Sequence, residues 1–223
     1  MEKEINDMYT LFEKPLEDYY TMITNIISVA GVSSWEIEGN CIYYHCTLIK
    51  DEKYKNKQKN LLYYGSKAKN ICEIGFNAGH SAILMLINNT VDAPRKFTIF
   101  DIGRHRYTRP AVNFIKNIFP ELLVEYIEGN SLITLASRIM LNPGEIGEYD
   151  LVHIDGGHDD ACVYNDMALS VLLVAKGGFI IFDDASGPSI MAICQLWIES
   201  GYFRRAEQLD TTGGEHLILE KIK

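Results

Sequence analysis

The chain has 223 residues, 47% hydrophobic and 23% charged, which suits one α/β domain with a full apolar core. A formal net charge of -9 repels a phosphate backbone and argues against nucleic acid as a partner. Five cysteines (Cys41, Cys46, Cys72, Cys162, Cys194) without a CxxC pair, an acidic N-terminus and no apolar run of the roughly 20 residues that span a bilayer together predict a cytoplasmic protein with reduced thiols and no membrane partner.

Residues 2–31 carry apolar positions at helical spacing, from Ile5 to Ile27. Pro15 is expected to break them into two helices and Gly31 to stop the second. WEIEGNCIYYHC reads as a short hairpin turning at Gly39-Asn40. Residues 50–69 hold seven lysines against two acids, the one basic patch noted in the chain. Such a run reads first as a solvated face or loop, with a lid over the active site as another use. Residues 1–68 are thus expected to form a helical and hairpin extension that packs on a core formed by residues 69–223.

From residue 69 strand and helix alternate. Buried-type runs occur at KNICEIGF, KFTIFDIG, LLVEYIEGN, YDLVHIDGG and GGFIIFDDA, each followed by helical spacing. In residues 159–175 the stripe is Val163, Met167, Ala168, Val171, Leu172 and Ala175, with Asn165, Asp166 and Ser170 off it. Five βα units imply a parallel sheet covered on both faces. YFRRAEQL and EHLILEKIK, joined by DTTGG, suit an antiparallel pair. The expected fold is therefore α/β: a Rossmann-like, doubly wound, seven-stranded sheet with its last strand reversed.

Ligands of such sheets bind beyond the carboxyl ends of the strands, and every strand here ends in polar residues. The first end, Glu73 through Ser81, is a strand-to-helix turn with Gly75 and Gly79. Asn77 stands where a dinucleotide fingerprint has its second glycine, which disfavours a pyrophosphate. Asp101 ends the second strand, where an acid accepts hydrogen bonds from a ribose or caps a helix. Gly129-Asn130-Ser131 follows the third, Asp155-Gly156-Gly157-His158 the fourth, and Asp183-Asp184 the fifth. Asp159 and Asp160 read as the N-cap and first-turn acids of the next helix.

Asp155, Asp183 and Asp184 close neighbouring strands, roughly 4.8 Å apart; three like charges at one edge call for a cation, and hard oxygen ligands suit Mg²⁺, unless Asp184 only caps the next helix and leaves two acids without a metal. His158, two glycines after Asp155, is placed to act as a base near neutral pH or as a structural hydrogen bonder in the loop. His80, His105, His153 and His216 show no ligand spacing, and His153 reads as an interior residue.

The E-x-G-x-x-x-G-x-S turn, the acid after strand two, GNS after strand three and D-G-x-H after strand four resemble the class I S-adenosylmethionine-dependent methyltransferases over residues 69–223. That resemblance implies that Gly75, Asn77 and Gly79 shape the methionine-side loop and that Glu73 and Ser81 hold the amino-acid moiety. It further implies that Asp101 takes the ribose, Asn130 and Ser131 border the adenine, and Asp155 lies beside the cofactor. An Asp, a βα crossover, then Asp-Asp is similar to the catechol-type and macrolide-sugar O-methyltransferases. This implies a Mg²⁺ triad of Asp155, Asp183 and Asp184, His158 as base, and a small hydroxylated acceptor such as a phenol or sugar. The alternatives are a metal-independent methyltransferase acting on nitrogen or a macromolecule, and a cofactor-binding module without chemistry. The oligomeric state, a homodimer included, is left open.

Overall fold

The computed structural model describes residues 1–29, 31, 37, 43–44, 47–48, 52–88, 90, 95–211 and 215–223. Helix α1 (Glu2–Val29) runs unbroken through Pro15, so the two predicted helices are one. Ile5 and Tyr9 before the proline, and Leu16, Tyr20 and Ile23 after it, are all buried. That burial holds the axis together across the missing amide, and Leu11, whose carbonyl loses its partner, is 75% exposed and can turn to water. Replacing Pro15 with Ala is expected to raise stability, by up to about 3 kcal/mol. A denaturant titration checks this, and a destabilised variant would show that the proline fits a bend the packing requires.

The hairpin expected over residues 35–46, with Gly39-Asn40, Cys41 and Cys46, lies mostly outside the described residues. Within and beside it, β1 (Tyr43–Tyr44) pairs antiparallel with β2 (Thr47–Leu48). The lysine-rich segment forms α2 (Glu52–Lys67), and it is not a solvated face: Lys57, Gln58, Asn60, Leu61 and Leu62 are all buried. Polar clamps fix it in place. Asn60 exchanges hydrogen bonds with the backbone of Leu209 (3.1 and 2.9 Å), and Gln58 Oε1 accepts from Tyr9 (2.6 Å).

The core follows as β3 (Asn70–Ile74), α3 (His80–Leu86), β4 (Lys96–Asp101), α4 (Thr108–Ile118), β5 (Leu123–Glu128), α5 (Ser131–Leu141), β6 (Tyr149–Ile154), α6 (Asp160–Leu173), β7 (Val174–Asp183), α7 (Pro188–Glu199), β8 (Phe203–Arg205) and β9 (His216–Lys221). The seven-stranded sheet has the order β5-β4-β3-β6-β7-β9-β8. Strands β3 to β7 are parallel, and β9 alone runs antiparallel to its neighbours, as the apolar runs predict. Residues 212–214 of the expected DTTGG turn are outside the described residues.

Strand periodicity sorts the core into two faces. Ile71, Leu151, Ile181 and Ile218 pack with α1–α4, and Cys72, Val152, Ile180 and Leu219 pack with α5–α7. The described residues of the first 68 thus contribute to one core cluster with the sheet. On α6 the buried face differs from the predicted stripe: Asp166 and Ser170 are buried beside Val163 and Met167, while Ala168 and Leu172 are exposed. The helix also ends earlier, because β7 begins at Val174 rather than at the glycines. The chain leaves β3 for β4 and β5 on one side and returns to β6 on the other. The switch between β3 and β6 opens a crevice at their carboxyl ends.

Candidate active site

At that switch the loop after β3 is folded tightly against the end of β6. Asp155 N–H donates to Ile74 O (2.8 Å), and Gly75 takes φ 88; a Cβ there would lie 1.9 Å from the carbonyl oxygen of Asp155. Only glycine satisfies both demands. Asp101 holds the same loop from the other side. One carboxylate oxygen accepts from the amides of Phe76 and Asn77 (2.9 Å each), and the other accepts from Gly103 (2.7 Å). Asn77 itself takes φ 52. Asn130 caps α5, its Oδ1 accepting from Leu132 N–H (2.9 Å).

These elements surround a cavity of about 350 Å³ lined by Gly75, Asn77, Asp101, Asn130, Ser131 and Asp155, with Gly156, Gly157 and Cys162 completing one wall. Arg104 and His105 line it too. From the sequence Arg104 receives no role and His105 reads only as lacking ligand spacing, although GRHRYTR, beginning two residues after Asp101, is a second cationic stretch, so the lysine run is not the one basic patch. Glu73, Gly79 and Ser81 do not line the cavity, contrary to expectation for Glu73 and Ser81. Glu73 is fully buried, and its Oε1 accepts from Ser81 Oγ (2.5 Å) and lies 2.9 Å from His153 Nδ1. The cause is parity: Glu73 and His153 are registered partners on the α1–α4 face of the sheet.

Gly156 and Gly157 have no left-handed backbone. They are needed for room, since a Cβ on each would come within 3.0 Å of Asp166 Oδ2 and Cys162 Sγ on α6. Asp159 caps that helix as expected, accepting from Cys162 N–H (3.1 Å).

The three acids assigned to Mg²⁺ do not assemble as one set. Asp183 is the last residue of β7 and faces α2, where its Oδ2 meets Lys57 Nζ at 2.5 Å, with both side chains 1% exposed. Asp184 has left the strand at φ 51, and its Oδ2 lies 2.9 Å from His158 Nε2 at the surface, with side chains 40% and 60% exposed. Asp155 stands between. Its donor atom lies within 4.8 Å of those of His153 and Asp183 on the inner side, and of His158 and Asp184 on the outer. The charge balance that demanded a metal is therefore met otherwise, with Lys57 beside Asp183. On these grounds the residues do not fit the three-carboxylate Mg²⁺ set, and both closely grouped sets include an imidazole, a donor that Mg²⁺ disfavours.

Electrostatics follow this partition. Burial, then the Asp183 carboxylate, push Asp155 above the usual carboxylate range. Burial pulls His153 down, but the hydrogen bond and charge of Glu73, with Asp155 and Asp183 behind it, more than reverse this and hold it above its ordinary value. The hydrogen bond to Asp184 raises His158, and the same bond lowers Asp184. His216, registered opposite Asp183, is pushed down to about 3 by burial and stays neutral.

The sequence profile of a family described as "Methyltransferase domain" matches residues 72–185, more than half of the chain. The chain belongs to that family. No curated protein matches it in sequence. Among solved structures, the Bacillus cereus O-methyltransferase in complex with SAH is similar at 16% identity over 91% of each chain, with a TM-score of 0.60. The O-methyltransferase TomG of Streptomyces achromogenes, involved in tomaymycin synthesis and solved with SAM, is 15% identical over 88% of this chain and 89% of its own, with a TM-score of 0.60. The N-methyltransferase NodS of Bradyrhizobium japonicum is 14% identical over 78% of this methyltransferase and 99% of its own chain, with a TM-score of 0.54. At such identities the likeness establishes the fold: the seven-stranded methyltransferase sheet with its reversed strand. No helix among the described residues is long and apolar enough to cross a membrane.

Proposed function

We propose that the protein transfers the methyl group of S-adenosylmethionine to a hydroxyl of a small acceptor, with His158 as the base. The observation that carries this reading is the His158–Asp184 pair standing beside Asp155 next to the cavity wall.

S-adenosylmethionine fits the cavity by its chemistry. Gly75 keeps the loop after β3 close against β6 at the cavity floor, Asp101 keeps acceptor capacity on the oxygen that Gly103 alone occupies, and Asn130 and Ser131 offer polar edges opposite. Glu73 and Ser81 would act one layer behind, bracing the loop, and Gly79 would set the start of α3. When bound, this co-substrate supplies an electrophilic methyl on a positively charged sulfur.

The residues then divide the work. Asp184 accepts from His158 Nε2–H, which leaves the Nδ1 lone pair to take the acceptor proton. As the oxygen–carbon bond forms and the sulfur–carbon bond breaks, the proton passes to His158 Nδ1 and the sulfur leaves as a neutral thioether. Asp155, at the end of β6, borders both the cavity and this pair and orients the acceptor hydroxyl between them.

A second reading, with a divalent ion at Asp155, His158 and Asp184, is favoured by the 4.8 Å grouping of their donor atoms. It keeps the expected metal dependence but moves the ion outward from Asp183. A nitrogen acceptor, as in the name of NodS, stands behind both.

Incubation with methyl-labelled S-adenosylmethionine and matched panels of catechols, sugars and amines, followed by mass spectrometry, tests the assignment. Label on acceptor oxygen is expected. Label confined to amines or to macromolecules would overturn it.

A further inference from the structure

The cation at the inner end of β7 comes from the extension, 126 residues away in sequence. Lys57 is fully buried on α2, and its ammonium meets Asp183 Oδ2. On the far side of that carboxylate, Asp183 Oδ1 and His153 Nε2 are buried without a hydrogen-bond partner among the described residues. Donor atoms of His153, Asp155 and Asp183 lie within 4.8 Å of one another. The result is a close polar cluster with two unpartnered buried atoms, flanked on one side by an ammonium. Buried carboxylates at this spacing need a positive neighbour, and either an ammonium or a dication can serve. Both at once would set three positive charges around one carboxylate in a region of low dielectric, where like charges repel strongly.

We propose that Lys57 is the resident counter-cation of the Asp155–Asp183 edge: a positioning residue that fixes Asp183 and keeps divalent ions out of the His153–Asp155–Asp183 cluster. The clamps around it hold α2 at this depth, because Asn60 is tied to Leu209 and Asn56 to Asp210 O (2.8 Å). The lysine cannot swing away as an exposed one would. The extension therefore completes the charge arrangement of the edge at which the acceptor hydroxyl is bound under the methyl-transfer reading. Only the bearing on turnover rests on that reading; ion exclusion does not.

The test is ion binding by the full-length protein, read without turnover. Wild type, Asp183→Asn, Lys57→Arg, Lys57→Gln and the double variant Lys57→Gln/Asp183→Asn are stripped with chelator and titrated with MnCl₂, with free Mn²⁺ followed by electron paramagnetic resonance. Lys57→Gln is expected to gain one site at least tenfold tighter than any in the wild type. Lys57→Arg should not gain it, and the double variant should lose it. A wild-type site already dependent on Asp183, or no gain in Lys57→Gln, would overturn the proposal. Should Lys57→Gln fail to fold in chelator, thermal unfolding with and without Mn²⁺ decides. Folding restored by the ion supports the proposal, and folding restored only by Asp183→Asn, or by neither, contradicts it. An acceptor that proved to be an amine would leave these outcomes unchanged.

Discussion

Replacement of His158 by Ala is expected to lower kcat by roughly 10²- to 10⁴-fold, the range of a lost general base, with affinity for S-adenosylhomocysteine unchanged. His158 is absent from the cavity wall where the co-substrate would bind, so the loss should appear in the chemical step and spare co-substrate binding. The pH profile gives the sign. A base works only when deprotonated, and the hydrogen bond that His158 donates to Asp184 raises His158 above its ordinary value. Wild-type kcat should therefore rise with pH through a pKa above about 6.5. In Asp184→Asn, which keeps a hydrogen-bond acceptor but removes the charge, that limb should move to lower pH while the plateau falls, because the imidazole loses its charged anchor. An unchanged profile in Asp184→Asn, or a His158→Ala enzyme with near wild-type kcat, would assign the proton to another group. Calorimetry with S-adenosylhomocysteine separates either result from a binding defect.

Gly75→Ala is expected to be the most damaging single methyl among the described glycines. Its Cβ would be 1.9 Å from the carbonyl oxygen of Asp155 and 2.9 Å from the amide of Gly156, both backbone atoms with no rotamer to yield. The added methyl also sits at φ 88, where an L residue is strained. Overpacking of about 1–3 kcal/mol plus roughly 1–2 kcal/mol of backbone strain suggests a loss near 3 kcal/mol or more, or a fall in Tm of roughly 6–12 °C for a chain of this size. Relief must come from β3 and β6 moving apart, which opens the cavity floor, so S-adenosylhomocysteine binding should be lost with stability. Gly177→Ala is the control: φ is 79, yet nothing lies within 4 Å of its Cβ. It should show the backbone cost alone, and binding should survive. Equal behaviour of the two variants would mean that strain, and not the β3–β6 contact, governs Gly75.

Much of this architecture could be read in the chain because each parallel strand is a run of apolar residues that stops at a polar one. Ile71 to Ile74, Phe97 to Phe100 and Leu151 to Ile154 are bounded in this way, and residues at or just past the strand ends line the cavity: Gly75, Asp101, Asn130 and Asp155. Asp101 was legible as a position but not as a partner. Its carboxylate also ties the glycine loop through the amides of Phe76 and Asn77 while holding Gly103 in its own loop, which no spacing rule reveals.

What periodicity missed depends on contacts between distant segments. Pro15 fails to end α1 because Tyr9 and Leu16 are buried in the same core on either side of it. Asp166 and Ser170 look like the wet side of α6, yet the glycines 156 and 157 bring the preceding loop down onto that helix. Lys57 is the plainest case. In a run of seven lysines nothing marks one as buried, and its partner Asp183 lies 126 residues on. The opposed directions of Asp183 and Asp184 were half legible, since adjacent strand residues face opposite ways; the left-handed turn at Asp184 then sends the second acid to His158 instead of back to the first.

Methyl transfer by the wild-type enzyme after exhaustive chelation is the decisive measurement, because protein cations, with Lys57 foremost, are held to balance this acidic strand edge and His158 to take the proton. The expected rate is the same with EDTA present and after Mg²⁺ is restored. A rate that collapses on chelation and returns with Mg²⁺ would show that a metal, and not Lys57 and His158, makes the edge work.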